Sequence, residues 1–256
     1  MSSKVELVDR SGHSFVVNCV DGYYFHRGSK PIPFHHHLDS VKEMAIRQDD
    51  VMICSYPKSG LHWLWEVVNM ITHEDLNHRS HKESMNQPDF RASELDKVPS
   101  PRVLSSHIRF RFLPCQLITN KTKIILLERD PKSVAVSFYN MTVGMKGVEG
   151  YTGIVSVKEY NGSWEDFLQM FLEGKVPYGS WFDYKLEWED IRKQHPDLPL
   201  MDLTFEDMKQ NTTEPSKGAR RVQIEGSRHE GRTLAQNATA ASTVLNMIKT
   251  NAERSP

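Results

Sequence analysis

The stretch "SYPKSGLHWLW", Ser55–Trp65, decides the fold, because it joins the apolar run Val51–Cys54 to an amphipathic segment. A strand, a turn that contains Gly60 and then a helix leave unpaired amide N–H groups at the start of the helix, where an anion can bind. Lys58 adds a mobile positive charge beside these amides. The order differs from the common phosphate loop G-x-x-x-x-G-K-[ST], since here the lysine precedes the glycine. An ordinary strand-to-helix turn with an exposed lysine is the alternative interpretation.

Four segments of the sequence are predicted to be buried strands, with helical patterns in the connections between them. These segments are Asp50–Tyr56, Arg102–His107, Lys123–Arg129 and Leu200–Phe205. This alternation predicts an α/β fold: a single domain with a central parallel sheet flanked by helices, and the phosphate-binding loop after the first strand. Ligands of such sheets bind at the carboxyl ends of the strands. The candidate site is therefore expected where these strands end.

Two helices are predicted from their capping residues. Ser163 precedes the amphipathic run "WEDFLQMFLEG", with Asp166 at the capping-box position and Gly174 at the end. Ser180 and Asp183 repeat this arrangement at the start of "WFDYKLEWEDIRKQ". The aromatic stripes of both helices are predicted to face the core; they comprise Trp164, Phe167 and Phe171 in the first helix and Trp181, Tyr184 and Trp188 in the second.

A second segment that carries candidate functional residues is "KIILLERDPKSVAVSFYNM", which begins at Lys123. A buried strand ends at Arg129, and Pro131 stands where a helix would begin. Ser133 and Ser137 lie four residues apart and therefore share one helical face. Arg129 and Ser137 can together offer donors to a second phosphate group. The alternative is a surface arginine in an ion pair and a serine tucked into a helix.

The third segment is "PRVLSSHIRFRFLP", in which His107 closes a predicted strand. This position directs the imidazole toward the carboxyl-end crevice of the sheet. A histidine with a near-neutral pKa suits general-base removal of a hydroxyl proton. A lone histidine can equally be structural, so the interpretation of His107 as a general base depends on the two segments described above.

Composition narrows the classes of function. The chain carries 32 basic and 33 acidic residues, a formal net charge of -1, which gives no field that would favour nucleic acid or a membrane. Its three cysteines have no metal-ligand spacing, and the start of the sequence lacks a signal peptide, so a cytoplasmic protein with reduced thiols is expected. The run "HHHL" at His35–Leu38 is interpreted as solvated histidines in a loop, and no metal site is predicted.

Five motifs in order resemble the cytosolic sulfotransferase family, of the hydroxysteroid or phenol type. They are "YPKSG..W" after a strand, "SSH" with a following "LP", "R.PK.VAVSFY", "YGSW" and "FEDM", and they extend from about Asp49 to Asn211. The resemblance implies transfer of a sulfonate group from 3'-phosphoadenosine 5'-phosphosulfate (PAPS) to the hydroxyl of a small hydrophobic alcohol, steroid or phenol, without a metal.

The resemblance also implies roles for individual residues. His107 would deprotonate the acceptor, and Lys58 would stabilise the leaving oxygen. Trp63 would lie against the adenine, and Phe205 would lie near the same base. The residues implied to hold the nucleotide are Lys58, Ser59, Gly60, Leu61, His62 and Trp63 at the 5'-phosphosulfate, Arg129 and Ser137 at the 3'-phosphate, and Phe205 at the base.

Several positions depart from the family pattern. Leu61 stands where the family usually has threonine, His62 where it often has threonine or asparagine, and Phe205 where it has tyrosine. Asp130 and Ser133 replace the commoner asparagine and aspartate. Leu61, together with the absent late segment described below, leaves open a catalytically weak or inactive homologue that binds a nucleotide or a small ligand. A magnesium-dependent kinase is disfavoured by the order of lysine and glycine in the loop.

The last part of the sequence differs from the rest. No Phe, Trp or Tyr follows Phe205, and the family's late "RKGxxGDW" segment and dimer motif are both missing. The sequence therefore predicts a sulfotransferase domain over residues 1–210 and a divergent, mobile tail over 211–256. The missing dimer motif leaves the oligomeric state undecided.

Overall fold

A computed structural model of the chain describes residues 2–26, 33–73, 85–144 and 160–210. The strands are β1 Ser2–Val8, β2 Ser14–Val20, β3 Tyr23–Phe25, β4 Val51–Ser55, β5 Val103–Ser106, β6 Lys123–Glu128 and β7 Leu200–Thr204. The helices are α1 Phe34–Glu43, α2 Leu61–His73, α3 Pro88–Arg91, α4 Gln116–Thr119, α5 Pro131–Gly144, α6 Trp164–Leu172, α7 Trp181–Gln194 and α8 Phe205–Gln210. Two 3-10 segments cover Ala92–Lys97 and Phe110–Phe112. The predicted tail, 211–256, lies outside the described residues.

A four-stranded parallel sheet forms the centre of the fold, in the order β5-β4-β6-β7. The four predicted strands are confirmed, each slightly shorter than its predicted segment. All five residues of β4 are buried, as expected for an inner strand covered on both faces. The sheet places the ends of β5, β4 and β6 side by side.

The two faces of this sheet pack against separate sets of apolar residues. Met52, Cys54 and Leu126 belong to the larger cluster, whereas Ile53 and Ile125 belong to the smaller one. Successive residues of a strand point to opposite faces, so both faces are covered. This is the arrangement that the run of apolar residues predicted.

The amino-terminal residues form a three-stranded antiparallel sheet, β1-β2-β3, that the sequence analysis did not predict. Phe15 and Val17 of β2 bury their side chains in the larger cluster. The phosphate-type loop therefore follows the first strand of the parallel sheet, which is the fourth strand of the chain.

The predicted helix caps are present. The Ser163 hydroxyl accepts a hydrogen bond from the Asp166 amide at 3.1 Å, and the Ser180 hydroxyl accepts one from the Asp183 amide at 3.1 Å. Phe167 on α6 and Tyr184 and Trp188 on α7 are buried, whereas Phe182 is exposed. None of the helices in the described ranges is long and apolar enough to cross a membrane.

The interpretation of His35–Leu38 as a solvated loop is wrong. These residues lie in α1, where Phe34, His37, Leu38 and Val41 form a buried face. Their spacing of three and four residues is the helical period, which the run of histidines concealed. The imidazole Nε2–H of His37 donates to a backbone carbonyl of α3 at 2.6 Å.

Candidate active site

The three predicted segments meet at the carboxyl ends of β5, β4 and β6. His107 follows β5, and its Nδ1 lies 2.8 Å from the carbonyl oxygen of Ser55 at the end of β4. Arg129 follows β6, and its Nη1 donates to the carbonyl oxygen of Lys58 at 2.9 Å. Backbone groups of one loop thus hold both side chains, which sequence spacing alone could not establish.

The loop between β4 and α2 has an unusual backbone. Lys58 has a φ of 71° and Gly60 a φ of 102°, a region that costs a side chain strain but suits glycine. A Cβ at Gly60 would lie 2.6 Å from Cδ2 of Phe205. Gly60 is therefore required both by its backbone angle and by the close approach of an aromatic ring.

The side chains of this loop lie in a site suited to an anion. Burial lowers the pKa of Lys58, and the nearby Arg129 guanidinium adds to that effect. Lys58 forms no ion pair with any residue that the structure describes. The Ser59 side chain is buried, and its Oγ has no hydrogen-bond partner among the described residues. An anion would satisfy both the unpaired ammonium group and the orphaned hydroxyl.

The tyrosine at the start of the loop is held by a distant motif. Tyr56 is buried, and its hydroxyl donates to the carbonyl oxygen of Gly179 at 2.7 Å. Gly179 belongs to the "YGSW" motif, where Tyr178 also has a positive φ, of 70°. This hydrogen bond fixes the position of Tyr56, where the loop begins. The same motif places the ring centroid of Tyr178 5.7 Å from that of His107.

His107 is arranged as a proton acceptor. A carbonyl oxygen can only accept, so Nδ1 carries the proton in the bond to Ser55, and Nε2 of the neutral ring keeps its lone pair. Burial lowers the pKa of His107 to about 3, and the charges of His62 and Lys58 act in the same direction. The imidazole is therefore neutral at physiological pH.

Asp89, at the start of α3, is a site residue that the sequence analysis missed. Its carboxylate accepts hydrogen bonds from the Ser106 hydroxyl and, at 2.8 Å, from the backbone amide of His107. Its carbonyl oxygen accepts from Nε2–H of His37 at 2.6 Å and of His26 at 3.3 Å. Burial raises the pKa of Asp89 to about 6. Pro88, the residue before it, is a signal for the start of a helix. However, α3 has only four residues, too few to show a helical periodicity in the sequence.

Two of the residues predicted to contact the nucleotide, Arg129 and Trp63, lie against the ring of a third, Phe205. The Arg129 guanidinium carbon lies 4.3 Å from the ring centroid of Phe205. The Trp63 ring meets Phe205 edge-on, with centroids 5.6 Å apart. His62 is exposed at the start of α2, whereas Leu61 is 2% exposed and packs in the smaller core cluster.

A pocket of about 440 Å³ opens beside the first turns of α5. Ser133 and Ser137 both line it, as their shared helical face predicted. Asp130 caps the helix by accepting from the Ser133 amide at 2.9 Å, and hydrogen bonds from Ser133 lower the pKa of Asp130. The lining residues are Arg129, Lys132, Ser133, Val136, Ser137 and Asn140. Among them, Lys132, Val136 and Asn140 were not predicted.

One group of possible metal ligands occurs within the described residues: Asp9, His13 and Asp166, whose ligand atoms lie within 4.8 Å of one another. Asp9 accepts from the amides of Ser11 and His13, each at 2.8 Å. Asp166 accepts from the Ser11 hydroxyl at 2.7 Å. The carboxylates are thus bonded to protein donors that join the β1–β2 turn to α6.

The family model of the sulfotransferase domain matches residues 48–217, well over half of the chain. The chain therefore belongs to the sulfotransferase family, and the resemblance to its cytosolic members is confirmed. It is 32% identical over 196 residues to Sulfotransferase 1B1 of Mus musculus, covering 72% of this chain and 60% of the relative. It is 31% identical over 180 residues to the amine sulfotransferase of Oryctolagus cuniculus, covering 68% of this chain and 56% of the relative.

Solved structures agree with this fold. Mouse sulfotransferase SULT7A1 complexed with PAP has a TM-score of 0.59 and 28% identity, covering 76% of this chain and 64% of that chain. Retinol dehydratase in a complex with retinol and PAP has a TM-score of 0.60 at 18% identity, a likeness of fold alone, and covers 93% of this chain. The chain spans about 60% of the length of Sulfotransferase 1B1.

Proposed function

We propose that the chain transfers a sulfonate group from PAPS to the hydroxyl of a small hydrophobic acceptor. The observation that carries this proposal is the neutral His107, whose Nδ1–H is bonded to the carbonyl of Ser55 at 2.8 Å, so that Nε2 can accept a proton. Lys58 lies on the loop that follows this same strand end. Membership of the sulfotransferase family and the PAP bound to SULT7A1 support the choice of donor.

The loop is proposed to hold the 5'-phosphosulfate, with the amides at the start of α2, the Ser59 hydroxyl and the Lys58 ammonium group as donors. The buried, unpartnered Oγ of Ser59 supports this assignment. Arg129 and Ser137 would bind the 3'-phosphate in the pocket that both line. The residues proposed to contact the nucleotide are Lys58, Ser59, Gly60, Leu61, His62, Trp63, Arg129, Ser137 and Phe205.

The bound nucleotide would supply an activated sulfonate and a good leaving group. His107 Nε2 would take the proton of the acceptor hydroxyl as the acceptor oxygen forms its bond to sulfur. The bond from sulfur to the bridging phosphate oxygen breaks in the same displacement. Lys58 would stabilise the negative charge that collects on that oxygen. Positioning and charge stabilisation then supply most of the catalysis, as in phosphoryl transfer.

The acceptor is proposed to be a small hydrophobic hydroxyl compound. Tyr178 supports this proposal, because its ring lies beside that of His107 and its buried hydroxyl has no partner among the described residues. A phenol ring with a free hydroxyl suits an apolar ligand that carries one polar group. The amine sulfotransferase among the relatives makes an amine the first competing acceptor to test.

A second candidate function is a homologue that binds the nucleotide but turns over little. The observation that favours it is Leu61, which is buried in the core and offers no hydroxyl at the loop. The loss of one hydrogen bond at the loop would weaken nucleotide binding by about tenfold.

Calorimetric titration with adenosine 3',5'-bisphosphate tests both candidates. We expect the wild-type chain to bind and Arg129→Ala to weaken binding by at least about tenfold, because a charge-assisted pair is lost. Arg10→Ala is the matched control, since its guanidinium pairs with Asp166 at 3.3 Å. Wild-type binding with turnover of labelled PAPS and a phenol or steroid supports the transferase. Binding without turnover of any acceptor supports the second candidate, and absence of binding refutes both.

A further inference from the structure

We propose that Phe205 is a positioning residue for Arg129: its ring holds the guanidinium in place for the 3'-phosphate before the nucleotide arrives. This inference rests on the proposed function and deepens it. It assigns Phe205 a task distinct from contact with the adenine. It also explains how a ring without a hydroxyl can serve at this position.

The register of the sheet brings the two residues together. β6 pairs with β7 in parallel, with Glu128 opposite Thr204. The residues that directly follow these two strand ends are Arg129 and Phe205, so the pairing places them side by side at the carboxyl edge. The guanidinium carbon then lies 4.3 Å from the ring centroid, well inside the range of a cation–π interaction.

Arg129 is held at two points. The ring of Phe205 lies against the guanidinium, and Nη1 donates to the carbonyl oxygen of Lys58 at 2.9 Å. Arg129 lines the pocket beside α5 and forms no ion pair with any described residue. The arginine is therefore fixed by neutral groups, and its charge remains available to an anion.

Phe205 is itself fixed by the loop and by α2. Gly60 lies so close that a Cβ there would be 2.6 Å from the ring, and the Trp63 ring meets it edge-on at 5.6 Å. A flexible arginine loses rotamer freedom when it binds a ligand, and preorganisation removes part of that cost. One ring thus joins the two proposed anion sites, at the loop and at α5.

The test compares Phe205→Leu, which keeps apolar bulk against Gly60, with Phe205→Tyr, which keeps the aromatic face. Calorimetry measures the dissociation constants of adenosine 3',5'-bisphosphate and adenosine 5'-monophosphate, and their ratio reports the 3'-phosphate contact. We expect Phe205→Leu to reduce the preference for the bisphosphate by about 5- to 10-fold. Phe205→Tyr is expected to retain the preference.

A second comparison introduces Phe205→Leu into a chain that already carries Arg129→Ala. In that background Phe205→Leu is expected to leave the ratio unchanged, because the group that the ring positions is gone. A merely structural ring would weaken both nucleotides equally, and that result overturns the inference. So does a full preference for the bisphosphate in Phe205→Leu. A wild-type chain that binds neither nucleotide overturns the proposed function as well.

Discussion

The Nδ1–H of His107 donates to the carbonyl oxygen of Ser55 at 2.8 Å, across the neighbouring ends of β5 and β4. This bond fixes the tautomer of the imidazole, since the carbonyl cannot donate. It also orients Nε2 through the backbone of the strand that leads into the Lys58 loop. The orientation of His107 and the start of the Lys58 loop are therefore fixed by the same strand end.

Replacing His107 is the most direct test of its proposed role as the general base. We expect His107→Ala to lower kcat by about 10²- to 10⁴-fold, the usual contribution of a general base. Binding of adenosine 3',5'-bisphosphate should stay within about threefold of the wild type, because the proposed nucleotide contacts lie on other residues. Single-turnover assays and calorimetry measure the two effects separately. Full activity in the variant would exclude His107 as the base.

The pH dependence follows from the burial of the same ring. Burial lowers the pKa of His107 from 6.5 to about 3, so the ligand-free chain carries the neutral, proton-accepting form of this histidine at every pH above about 5. The profile of kcat/KM reports the groups of the free enzyme. We therefore expect the imidazole to contribute no acidic limb near pH 6.5. A limb near that pH that Asp89→Asn removes belongs to Asp89, whose pKa is about 6. A limb that persists in Asp89→Asn would mean that the imidazole is solvated and titrates normally.

Asp89 should matter for the placement of His107. Asp89→Ala leaves the Ser106 hydroxyl and the His107 amide without their acceptor. Each of these two buried groups costs roughly 1–3 kcal/mol when left unsatisfied, so the free energy of unfolding should fall by about 2–6 kcal/mol. Urea denaturation measures this change.

Asp89→Asn is the matched variant for this position. An asparagine retains one oxygen for the His107 amide and avoids a charge that burial disfavours, since the pKa of Asp89 is raised to about 6. Its stability should stay within about 1 kcal/mol of the wild type. Activity should survive in Asp89→Asn and be lost in Asp89→Ala under conditions where both remain folded. Equal activity in the two variants would refute a positioning role.

Gly60→Ala should disrupt the loop. The substitution places a Cβ 2.6 Å from Cδ2 of Phe205 and forces alanine to a φ of 102°. We expect a loss of roughly 1–3 kcal/mol in the free energy of unfolding, together with weaker nucleotide binding. Gly12→Ala is the control, because Gly12 also has a positive φ, of 89°, but nothing within 4 Å of its Cβ position. Identical behaviour of the two variants would show that the ring contact is unimportant.

The sequence predicted those parts of the fold whose signal is local. The apolar runs identified the four parallel strands, and Ser163 and Ser180 identified two helix starts. Burial on both faces makes a strand of this kind continuously apolar, and a cap is read from residues within one turn. The order of motifs was enough to recognise the family.

The missed features depend on contacts between distant residues. Asp89 meets His107 from a one-turn helix, and Tyr56 donates to Gly179 from far along the chain. The contact between Arg129 and Phe205 depends on the register of β6 and β7, which apolar runs do not encode. The tertiary partners of these side chains become visible only once the sheet is assembled.

Lys58 should show a trade-off between stability and function. Its pKa is lowered by burial and by Arg129, so the folded state binds this proton less readily than the unfolded chain. The charged ammonium therefore costs stability at neutral pH, and the cost disappears as the pH rises toward 10.5.

We expect Lys58→Met, which keeps the length of the side chain, to raise the free energy of unfolding at pH 7 by about 0.5–2 kcal/mol. The same variant should lose at least about 100-fold in kcat, because the leaving oxygen loses its counter-charge. Lys193→Met is the control, since Lys193 is largely exposed and lies 3.8 Å from Asp190. Thermal and urea denaturation at pH 7 and pH 9 measure the stability. A Lys58→Met chain that is less stable than the wild type at both pH values would contradict the inference that the charged ammonium of Lys58 destabilises the fold.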